Sequence, residues 1–350
     1  MEGWKNEDIA IEFQTLIVDK GQSPMRVDHF LINRLESVTR NKLQNAMKEG
    51  RVLVNDIAVK PNYKIKPLDV IRFDLQNKGD FGELEGEDLP LDVIYEDEDL
   101  MVINKDHGMV VHPGISNPTG TLVNAITHYL RSDNLPVLPG NSKDRAGLVH
   151  RIDKNTTGLL VIAKNNESLT FLAKQFLDHT VQRTYIALVW GNFDEKSGTI
   201  RGNIDRHPKN RRLRAVFADG SKGKHAVTHF EVIEDLYYVS LVKCRLETGR
   251  THQIRVHMAH IGHPLFNDET YGGDQIIKGT IFTKYKQFVK NSFEIMPRHA
   301  LHATSLGFVH PRTGQQMHFE CPLPDDFGAL ILKWRNYITY RKTVLDGDDE

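Results

Sequence analysis

The segment of residues 150–164 constrains the fold of this chain more than any other. Its sequence is His-Arg-Ile-Asp-Lys-Asn-Thr-Thr-Gly-Leu-Leu-Val-Ile-Ala-Lys. The Thr-Thr-Gly triplet is typical of a turn, and the apolar stretch of residues 159–163 predicts a buried strand. Asp153 precedes this turn, so we expect its carboxylate at the rim of a sheet, where rigid backbone can direct it at a ligand.

The same segment resembles the active-site motif of the RluA family of pseudouridine synthases. In that family the aspartate is the catalytic residue, and the resemblance gives this role to Asp153. It also gives Arg151 the task of filling the gap that a flipped uridine leaves in RNA. A surface ion pair followed by an ordinary turn is the alternative interpretation. The match extends over fifteen positions with their spacing intact, and further blocks follow in the expected order, which favours the family.

Two later blocks carry further candidate site residues. Residues 183–191 resemble the tyrosine-bearing strand of the family, which implies that Tyr185 stacks on the target base and that its hydroxyl accepts or relays a proton. Residues 247–264 resemble the block whose arginine pairs with the catalytic aspartate, and that role falls to Arg255. A nearby guanidinium keeps a carboxylate ionised in a water-poor pocket. Two other residues of this block are expected to contact RNA, namely Arg250 and His252.

Three shorter segments extend the resemblance. Residues 100–105 predict a strand, and residues 108–114 predict a turn and a second strand. Asn267 stands where relatives more often have glycine, and asparagine tolerates the left-handed backbone that such a turn uses. Residues 298–303 and the strand after them are assigned to pocket closure or, equally well, to core packing.

Residues 25–75 form a compact basic unit. Apolar residues at helical spacing predict helices over 26–35 and 41–48, and short strands are predicted at 52–55 and 70–73. This order resembles the S4 RNA-binding domain, in which two helices and a small sheet present a basic surface. Asp56 stands where that family usually has glycine, so we expect a tighter or shifted turn. A generic helical adaptor with solvated lysines is the alternative. The resemblance implies four phosphate contacts, namely Arg40, Lys42, Lys48 and Arg51.

The net charge of −1 conceals a strong segregation of charge. Residues 25–72 hold ten Lys/Arg against five Asp/Glu, and residues 201–224 hold eight against two. Residues 77–100 hold ten Asp/Glu and one Lys. A polyanion-binding protein can be neutral in total if its basic residues share a face. Within the second basic segment we expect RNA contacts from Arg211 and Arg212; solvated surfaces that face apart are the alternative.

A length of 350 residues allows about two domains. The alternation of helical and strand patterns favours an α+β catalytic domain on a mixed, largely antiparallel sheet, the pseudouridine synthase fold, beside a small S4-like domain. The expected divisions are an N-terminal extension (1–24), the S4-like RNA-binding domain (25–76), an acidic linker (77–90), the catalytic domain (91–340) and an acidic tail (341–350).

Other classes of protein are disfavoured by what the sequence lacks. Its two cysteines form neither a disulfide framework nor a metal-site pattern, and no signal peptide or membrane-length apolar run is present. These features predict a cytoplasmic protein that does not associate with membranes, and we expect a monomer. Four clustered histidines suggest a metal site, but no His-Glu-x-x-His pattern occurs, so no metal is expected. These histidines are His252, His257, His260 and His263.

The sequence therefore predicts an RNA pseudouridine synthase that isomerises specific uridines, with large-subunit ribosomal RNA or a ribosome-assembly intermediate as its partner. No cofactor is expected, because isomerisation involves no redox step, and no Rossmann or P-loop glycine pattern is present. Two alternatives stay open. The first is a non-catalytic S4-type RNA-binding protein, and the second is a metal-dependent nuclease that uses the histidines.

Overall fold

The structure is a computed structural model, and it describes residues 13–35, 40–75, 84–114, 117–131, 135–138, 145–210, 213–280 and 282–346. The chain divides into two compact units. Of the described residues, the small unit takes 13–35, 40–75 and 137–138, and the large unit takes the others.

The small unit packs two helices against a four-stranded antiparallel sheet with the strand order β1-β4-β2-β3. Its core is a cluster of apolar side chains that includes Phe30, Leu43 and Ile71. The helices and strands predicted between residues 26 and 73 are confirmed. The elements are β1 (Gln14–Ile17), α1 (Val27–Arg34), α2 (Arg40–Lys48), β2 (Val52–Val54), β3 (Ile57–Ala58) and β4 (Val70–Phe73).

The structure adds two details to the predictions for the small unit. Strand β1 lies in the segment expected to be an N-terminal extension, yet it pairs with β4, and Val18 beyond it is fully buried. The turn between β2 and β3 consists of Asn55 and Asp56, both with the positive φ that a two-residue type I′ hairpin requires. The side chain of Asn55 bonds to Asp69 and to the Val70 N–H, which holds the turn without a glycine.

The large unit is an α+β structure built on one ten-stranded sheet, as far as the chain is described. The strand order is β10-β9-β11-β12-β8-β13-β7-β6-β5, with β14 added beside β13. The pairing of β13 with β7 is parallel, and the other strand pairings within the described residues are antiparallel. The predicted fold class is therefore confirmed. The strands are β5 (Val93–Glu96), β6 (Leu100–Lys105), β7 (Thr157–Ala163), β8 (Gln182–Trp190), β9 (Ser197–Arg206), β10 (Arg214–Phe217), β11 (Lys224–Leu236), β12 (Val239–Leu246), β13 (Leu301–Val309) and β14 (Gln316–Glu320), and the helices are α3 (Leu122–Leu130), α4 (Asn166–Leu177), α5 (Gln253–His260), α6 (Thr283–Ile295) and α7 (Asp325–Asp346).

Strand β7 is buried along its whole length, as its apolar sequence predicts. It lies between β6 and β13 in the sheet. Its second residue, Gly158, has a φ of +111°, and a Cβ there would lie 2.2 Å from the carbonyl oxygen of Ala303. Only glycine permits this approach. The Thr-Thr-Gly triplet is thus the point where the turn after Asp153 enters the sheet against β13.

The predicted second strand over residues 108–114 is wrong. Residues 109–111 form no strand, although Val111 is buried. The carbonyl groups of Val110 and Val111 instead accept hydrogen bonds from the N–H groups of Leu122 and Val123. These N–H groups belong to the first turn of α3, which has no partners for them within the helix. The backbone of this segment therefore caps a helix and does not extend the sheet.

An aromatic cluster anchors α6 and α7 to the sheet. The rings of Trp190, Phe266 and Trp334 contact one another with centroid separations of 5.1 to 6.2 Å. The indole N–H of Trp190 donates to the Gly273 carbonyl at 2.8 Å. Large rings bury much apolar area, so this cluster fixes the chain around residue 266, which leads into the candidate site.

Residues 84–90 belong to the segment predicted as a linker, but they lie against α3. The N–H of Glu87 donates to the carbonyl of Asn124 at 3.0 Å, and the side chain of Asn124 donates to the carbonyl of Glu85 at 2.8 Å. The Glu87 carboxylate accepts from the N–H of Gly120. Among the residues described, no helix is long and apolar enough to cross a membrane.

Candidate active site

Asp153 lies in the turn that leads into β7, at the rim of the sheet where this interior strand begins. Its carbonyl accepts the N–H of Thr156 at 3.1 Å, which closes the turn. Its side chain is 19% exposed. The carboxylate is therefore held by rigid backbone yet still reachable by a ligand, as the sequence predicts.

Arg255, on helix α5, binds Asp153 and a second carboxylate at once. Its Nη1 donates to Asp153 Oδ2 at 2.9 Å. Its Nε and Nη2 donate to the two oxygens of Asp268 at 2.7 and 2.8 Å. Asp268 is almost fully buried and fixes the orientation of the guanidinium by this two-pronged bond, which leaves Nη1 for Asp153. The two residues that the resemblance pairs are thus in direct contact.

The charges around Asp153 keep its carboxyl group ionised. Burial alone would raise the pKa of Asp153, but the interactions with His252 and Arg255 outweigh it and hold the pKa below its usual range. Burial opposes the charge of Arg255 as well, yet its two carboxylate partners raise its pKa. The site therefore presents an anionic oxygen over the whole neutral pH range.

His252 faces the same carboxylate from the other side. It precedes α5 in a left-handed backbone conformation with φ 58°, and its Nε2 lies 3.8 Å from Asp153 Oδ1. Its Nδ1 hydrogen-bonds to the hydroxyl of Tyr271 at 2.9 Å. The Arg255 guanidinium lies over the Tyr271 ring, 5.2 Å from its centroid. These contacts place His252 beside the Asp153 carboxylate, and the RNA contact expected of it stays a prediction.

Tyr185, on β8, is 7% exposed and lies opposite Cys244 of β12 and Ala303 of β13. Burial raises the pKa of its hydroxyl; Arg183 opposes the change, and the charge of Asp153 adds to it. The hydroxyl has no hydrogen-bond partner within the described part of the chain. It is not fully enclosed by the protein. A partly open phenol near the carboxylate can stack on or bond to a bound base.

Buried basic side chains hold the turn after Asp153. The Lys105 ammonium is 1% exposed and donates to the carbonyls of Asp106, Met109 and Lys154 at 2.6 to 3.0 Å. Burial lowers the pKa of Lys105 to about 7. Its three N–H groups match three acceptors, so it connects the end of β6 to the residue next to Asp153.

The residues before β13 hold the same turn from the opposite side. Arg298 forms two hydrogen bonds to Asp326 and donates from Nη1 to the carbonyl of Asn155 at 3.1 Å. His299 Nε2 bonds to the hydroxyl of Thr156 at 2.9 Å. Burial lowers the pKa of His299 to about 3, so this ring is neutral. The block of residues 298–303 therefore supports the turn that carries Asp153, beyond simple core packing.

The predicted RNA-binding residues fall into three groups. Arg151 is exposed, and its Nη1 donates to His112 Nε2 at 2.8 Å; Arg250 is half-buried and donates to the His225 carbonyl. In the small unit, Lys48 is exposed. Four predicted contacts, Arg211 and Arg212 with the side chains of Arg40 and Lys42, lie outside the described residues.

Arg51 does not suit the phosphate contact predicted for it. Its side chain is largely buried and bonds to the carboxylate of Glu49 and to the carbonyl of Asp74. A guanidinium committed in this way stabilises the small unit itself, because its donors are already shared among protein acceptors.

The clustered histidines point to separate partners. His257 bonds to Thr228, His263 bonds to the Trp190 carbonyl and stacks on Phe193, and His260 is exposed.

Elsewhere, Asp97, Asp99 and His310 lie close enough to share an ion. Their ligand atoms already bond to one another or to protein donors, among them Arg312 and Tyr95.

Sequence reasoning missed several residues of the site. Neither Asp268 nor Tyr271 was assigned a role. Both follow closely on the block that contains Arg255, which is the signal that could have found them. Lys105 was assigned to a strand without a role, because a buried ammonium cannot be distinguished from an exposed one by its position in the sequence.

The chain matches two family profiles. The RNA pseudouridylate synthase profile matches residues 99–260, and the S4 domain profile matches residues 25–71. The first range includes Asp153, Tyr185 and Arg255, and the second includes both helices of the small unit.

The chain is also similar in sequence to whole RNA pseudouridine synthases. An uncharacterized RNA pseudouridine synthase of Chlorobaculum parvum is 48% identical over 93% of this chain and 98% of its own. The ribosomal large subunit pseudouridine synthase D of Zymomonas mobilis is 40% identical over 89% of this chain and 95% of its own.

Solved structures agree with the sequence relatives. Human RNA pseudouridylate synthase domain containing 1 superposes with a TM-score of 0.51 at 26% identity, covering 70% of this chain and 89% of that one. Human RNA pseudouridylate synthase domain containing 4 shares the fold, with a TM-score of 0.51 at 20% identity, 70% of this chain and 93% of that one. With a carboxylate and a guanidinium paired at the edge of this sheet, and with relatives along nearly its whole length, the chain belongs to the RNA pseudouridine synthase family, the isomerases that convert uridine in RNA to pseudouridine.

Proposed function

We propose that this protein converts specific uridines of large-subunit ribosomal RNA to pseudouridine, with Asp153 as the catalytic residue. The proposal for ribosomal RNA is supported by the names of relatives such as the Zymomonas mobilis protein. The proposal for Asp153 is carried by one observation: a partly exposed carboxylate at the sheet edge has one oxygen bound by Arg255 and the other oxygen turned away from it.

The reaction needs a group that acts where the base joins the ribose. The bond between N1 and C1′ breaks, the uracil turns, and a bond forms between C5 and C1′. The proton on C5 is then lost, and N1 gains one, so that the product is an isomer of the substrate. Asp153 serves as the nucleophile or the base of the cleavage step, and the depressed pKa keeps it in the anionic form that either role requires.

Tyr185 and Arg151 are suited to handling a flipped nucleotide. The Tyr185 ring is fixed between two neighbouring strands, so a base that enters the pocket meets a rigid aromatic face. Arg151 is exposed two residues before Asp153, where its planar group can occupy the space that the uridine leaves in the RNA. Unstacking a base costs a few kcal/mol, which such a substitute offsets in part.

Exposed cations near the site offer a path for the RNA backbone. The three-stranded edge formed by β9, β10 and β11 adjoins the site, because the N–H of Arg214 donates to the Tyr271 hydroxyl at 3.2 Å. Positive side chains on this edge attract phosphates and release counterions on binding. They are Arg201, Arg206, Lys209, Lys222 and Lys224.

The Asp153→Asn variant tests the catalytic assignment. The change preserves size but removes the charge, so we expect a folded protein that binds RNA and forms no pseudouridine. Release of tritium from RNA labelled at C5 of uridine measures turnover. Substantial turnover by this variant would contradict the role of Asp153.

The RNA target is tested in cells. Pseudouridines are mapped in RNA from cells with and without the gene, and we expect sites in large-subunit ribosomal RNA to disappear with the gene. Loss of sites in other RNAs alone would contradict the proposed target. The cytoplasmic location and the monomeric state stay predictions from the sequence.

A further inference from the structure

The two oxygens of the Asp153 carboxylate have different surroundings. Oδ2 accepts a hydrogen bond from Arg255 Nη1 at 2.9 Å. Oδ1 accepts none from the described residues, and it faces His252 Nε2 at 3.8 Å. This separation exceeds a hydrogen bond, yet catalytic hydrogen bonds are often long without substrate and tighten when it binds. Oδ1 is thus the oxygen available to the nucleotide, and His252 is the group beside it.

Three contacts fix the His252 ring. Its backbone is left-handed, with φ 58°, at the start of α5. Its Nδ1 lies 2.9 Å from the Tyr271 hydroxyl, and that hydroxyl oxygen accepts the N–H of Arg214 at 3.2 Å. Tyr271 has a single proton to donate, and with its oxygen already accepting from Arg214, it can donate that proton to His252 Nδ1.

This arrangement decides where His252 carries its proton. Burial lowers the pKa of His252, which favours the neutral ring with a single N–H. If Nδ1 accepts from Tyr271, the N–H is on Nε2 and points to Asp153 Oδ1. The donors then run in one direction, from the β10 backbone through Tyr271 and His252 to the carboxylate.

We propose that His252 and Tyr271 are positioning residues that direct Oδ1 of Asp153 at the target nucleotide. The inference rests on the proposed role of Asp153. Arg255 holds one oxygen, and the Nε2–H of His252 steers the other when the substrate is bound. This role differs from the RNA contact that the sequence predicts for His252, because it acts on turnover and not on affinity.

Two substitutions at one position separate the two ring nitrogens. The His252→Gln side chain places an amide nitrogen near the position of Nε2, which faces Asp153. The His252→Asn side chain reaches only the position of Nδ1, which faces Tyr271, and asparagine suits the left-handed backbone. Tyr271→Phe removes the hydroxyl and keeps the ring beneath Arg255. Tyr285→Phe is the matched control, since it removes a 2.8 Å hydrogen bond to the Lys278 carbonyl away from the site.

The experiment measures kcat and KM by tritium release from C5-labelled RNA of a strain that lacks the gene. We expect His252→Asn and Tyr271→Phe to lower kcat by roughly tenfold to a hundredfold, as for a misplaced reactive group, with KM nearly unchanged. His252→Gln should keep a clearly higher kcat than His252→Asn. Tyr285→Phe should match the parent protein. If the His252 variants do not fold, Tyr271→Phe tests the inference, and if Tyr271→Phe does not fold, the His252 variants test it.

Three results would overturn the inference. The first is a His252→Asn protein as active as His252→Gln, the second is a change confined to KM, and the third is a Tyr271→Phe protein no slower than Tyr285→Phe. Asp153→Asn is measured in parallel to separate the two proposals. Full turnover by that variant refutes the proposed role of Asp153 itself, whereas an inactive Asp153→Asn with unaffected His252 variants refutes only the positioning pair.

Discussion

Two carboxylates share one guanidinium at the centre of the site. Asp153 and Asp268 both contact Arg255, and burial alone would raise the pKa of either carboxyl group. Arg255 outweighs burial at Asp268, and His252 and Arg255 together outweigh it at Asp153, because charge attraction is strong where water is scarce. Arg255 therefore sets the protonation of the site as well as its geometry.

Replacement of Arg255 tests this control of charge. Without its guanidinium partner the Asp153 carboxylate is no longer held in position, so we expect Arg255→Leu to lower turnover by roughly a hundredfold. The pKa of Asp153 should rise, because burial and the charge of Asp268 are then opposed less strongly, with His252 and His299 remaining. As the pH falls, the variant should therefore lose its remaining activity at a higher pH than the parent protein does. The measurement is kcat against pH.

Two further variants sharpen the comparison. Arg255→Lys keeps the charge but cannot bridge two carboxylates. Its pH profile should therefore stay close to that of the parent protein, whereas its kcat should fall. Arg335→Leu removes an exposed arginine bound to Glu234 and should leave turnover unchanged. An Arg255→Leu protein with the parent rate and pH profile would show that Arg255 does not control Asp153.

The pairing of Asp153 with Arg255 could be predicted from motifs, but the full site could not. A motif names residue types that recur, and both partners lie in recognisable blocks 102 residues apart. The role of Asp268 depends on which guanidinium nitrogens face it, and the role of Tyr271 depends on a ring turned toward His252. Neither orientation is encoded in sequence spacing, because both result from packing around α5.

A lysine lies at each end of the strand pair β6 and β7. The one near the active site is buried, and the one at the far end binds acidic residues. Lys105 lies opposite Gly158, next to the turn of Asp153, and donates to three carbonyls. Lys164 follows β7 at the other end and binds Glu96 and the Asp97 carbonyl. The burial of Lys105 lowers its pKa to about 7.

The depressed pKa of Lys105 makes stability depend on pH. Between about pH 7 and the ordinary lysine value of 10.5, the unfolded chain binds a proton that the folded one has lost. The free energy of unfolding therefore rises with pH across this window. We expect Lys105→Met to lack that rise, so that the deficit of the variant relative to the parent grows toward high pH. Urea unfolding at several pH values measures it.

Lys164→Met is the control for this prediction, because it removes a bonded lysine from the other end of the same strand pair. Its deficit relative to the parent protein should be nearly constant between pH 7 and 10. A Lys105→Met deficit that is constant or shrinks as the pH rises would contradict the assigned proton linkage.

At the scale of elements, regular strands could be predicted, but the hydrogen-bond partners of irregular backbone segments could not. The apolar run of β7 and the alternating pattern of β12 read directly as strands. Residues 109–111 have the same apolar character, but their carbonyls bond to the first turn of α3. Hydrophobicity predicts burial, whereas the choice between sheet and helix cap depends on which N–H groups arrive from elsewhere in the chain.

At the scale of the whole molecule, RNA affinity and chemistry are expected to be divided between the two units. Exposed lysines of the small unit include Lys48, Lys60, Lys64 and Lys66. The residues proposed for chemistry all belong to the large unit. The segregated charge that suggests this division was visible in the sequence, whereas the packing of residues 84–90 against α3 was not, because acidic, glycine-rich composition is typical of free linkers.

A truncated protein that begins at Leu84 tests the division. This start retains the contacts of Glu85 and Glu87 with α3. We expect the truncated protein to fold, to bind RNA more weakly, and to lose less in turnover at saturating RNA than in affinity. Each phosphate contact adds about 0.7–0.9 to the slope of log affinity against log salt, so the slope should become shallower.

The measurement is binding of both proteins to one structured RNA over a salt series. As a control, a full-length protein with Lys48→Gln should lose only a small part of the slope. Equal slopes for the full-length and truncated proteins would show that the small unit does not contact RNA phosphates.

The insertion of β13 between β8 and β7 has a consequence for synthesis of the protein. Thr157 of β7 bonds to His302 of β13, 145 residues later. At about 5–20 residues per second, a ribosome needs roughly 7–30 s to make the chain between them. During that time β7, which is fully buried in the folded protein, lacks the strand that covers one of its edges, and unpaired edges invite aggregation. We therefore expect the large unit to be most prone to aggregation during synthesis, before β13 is made.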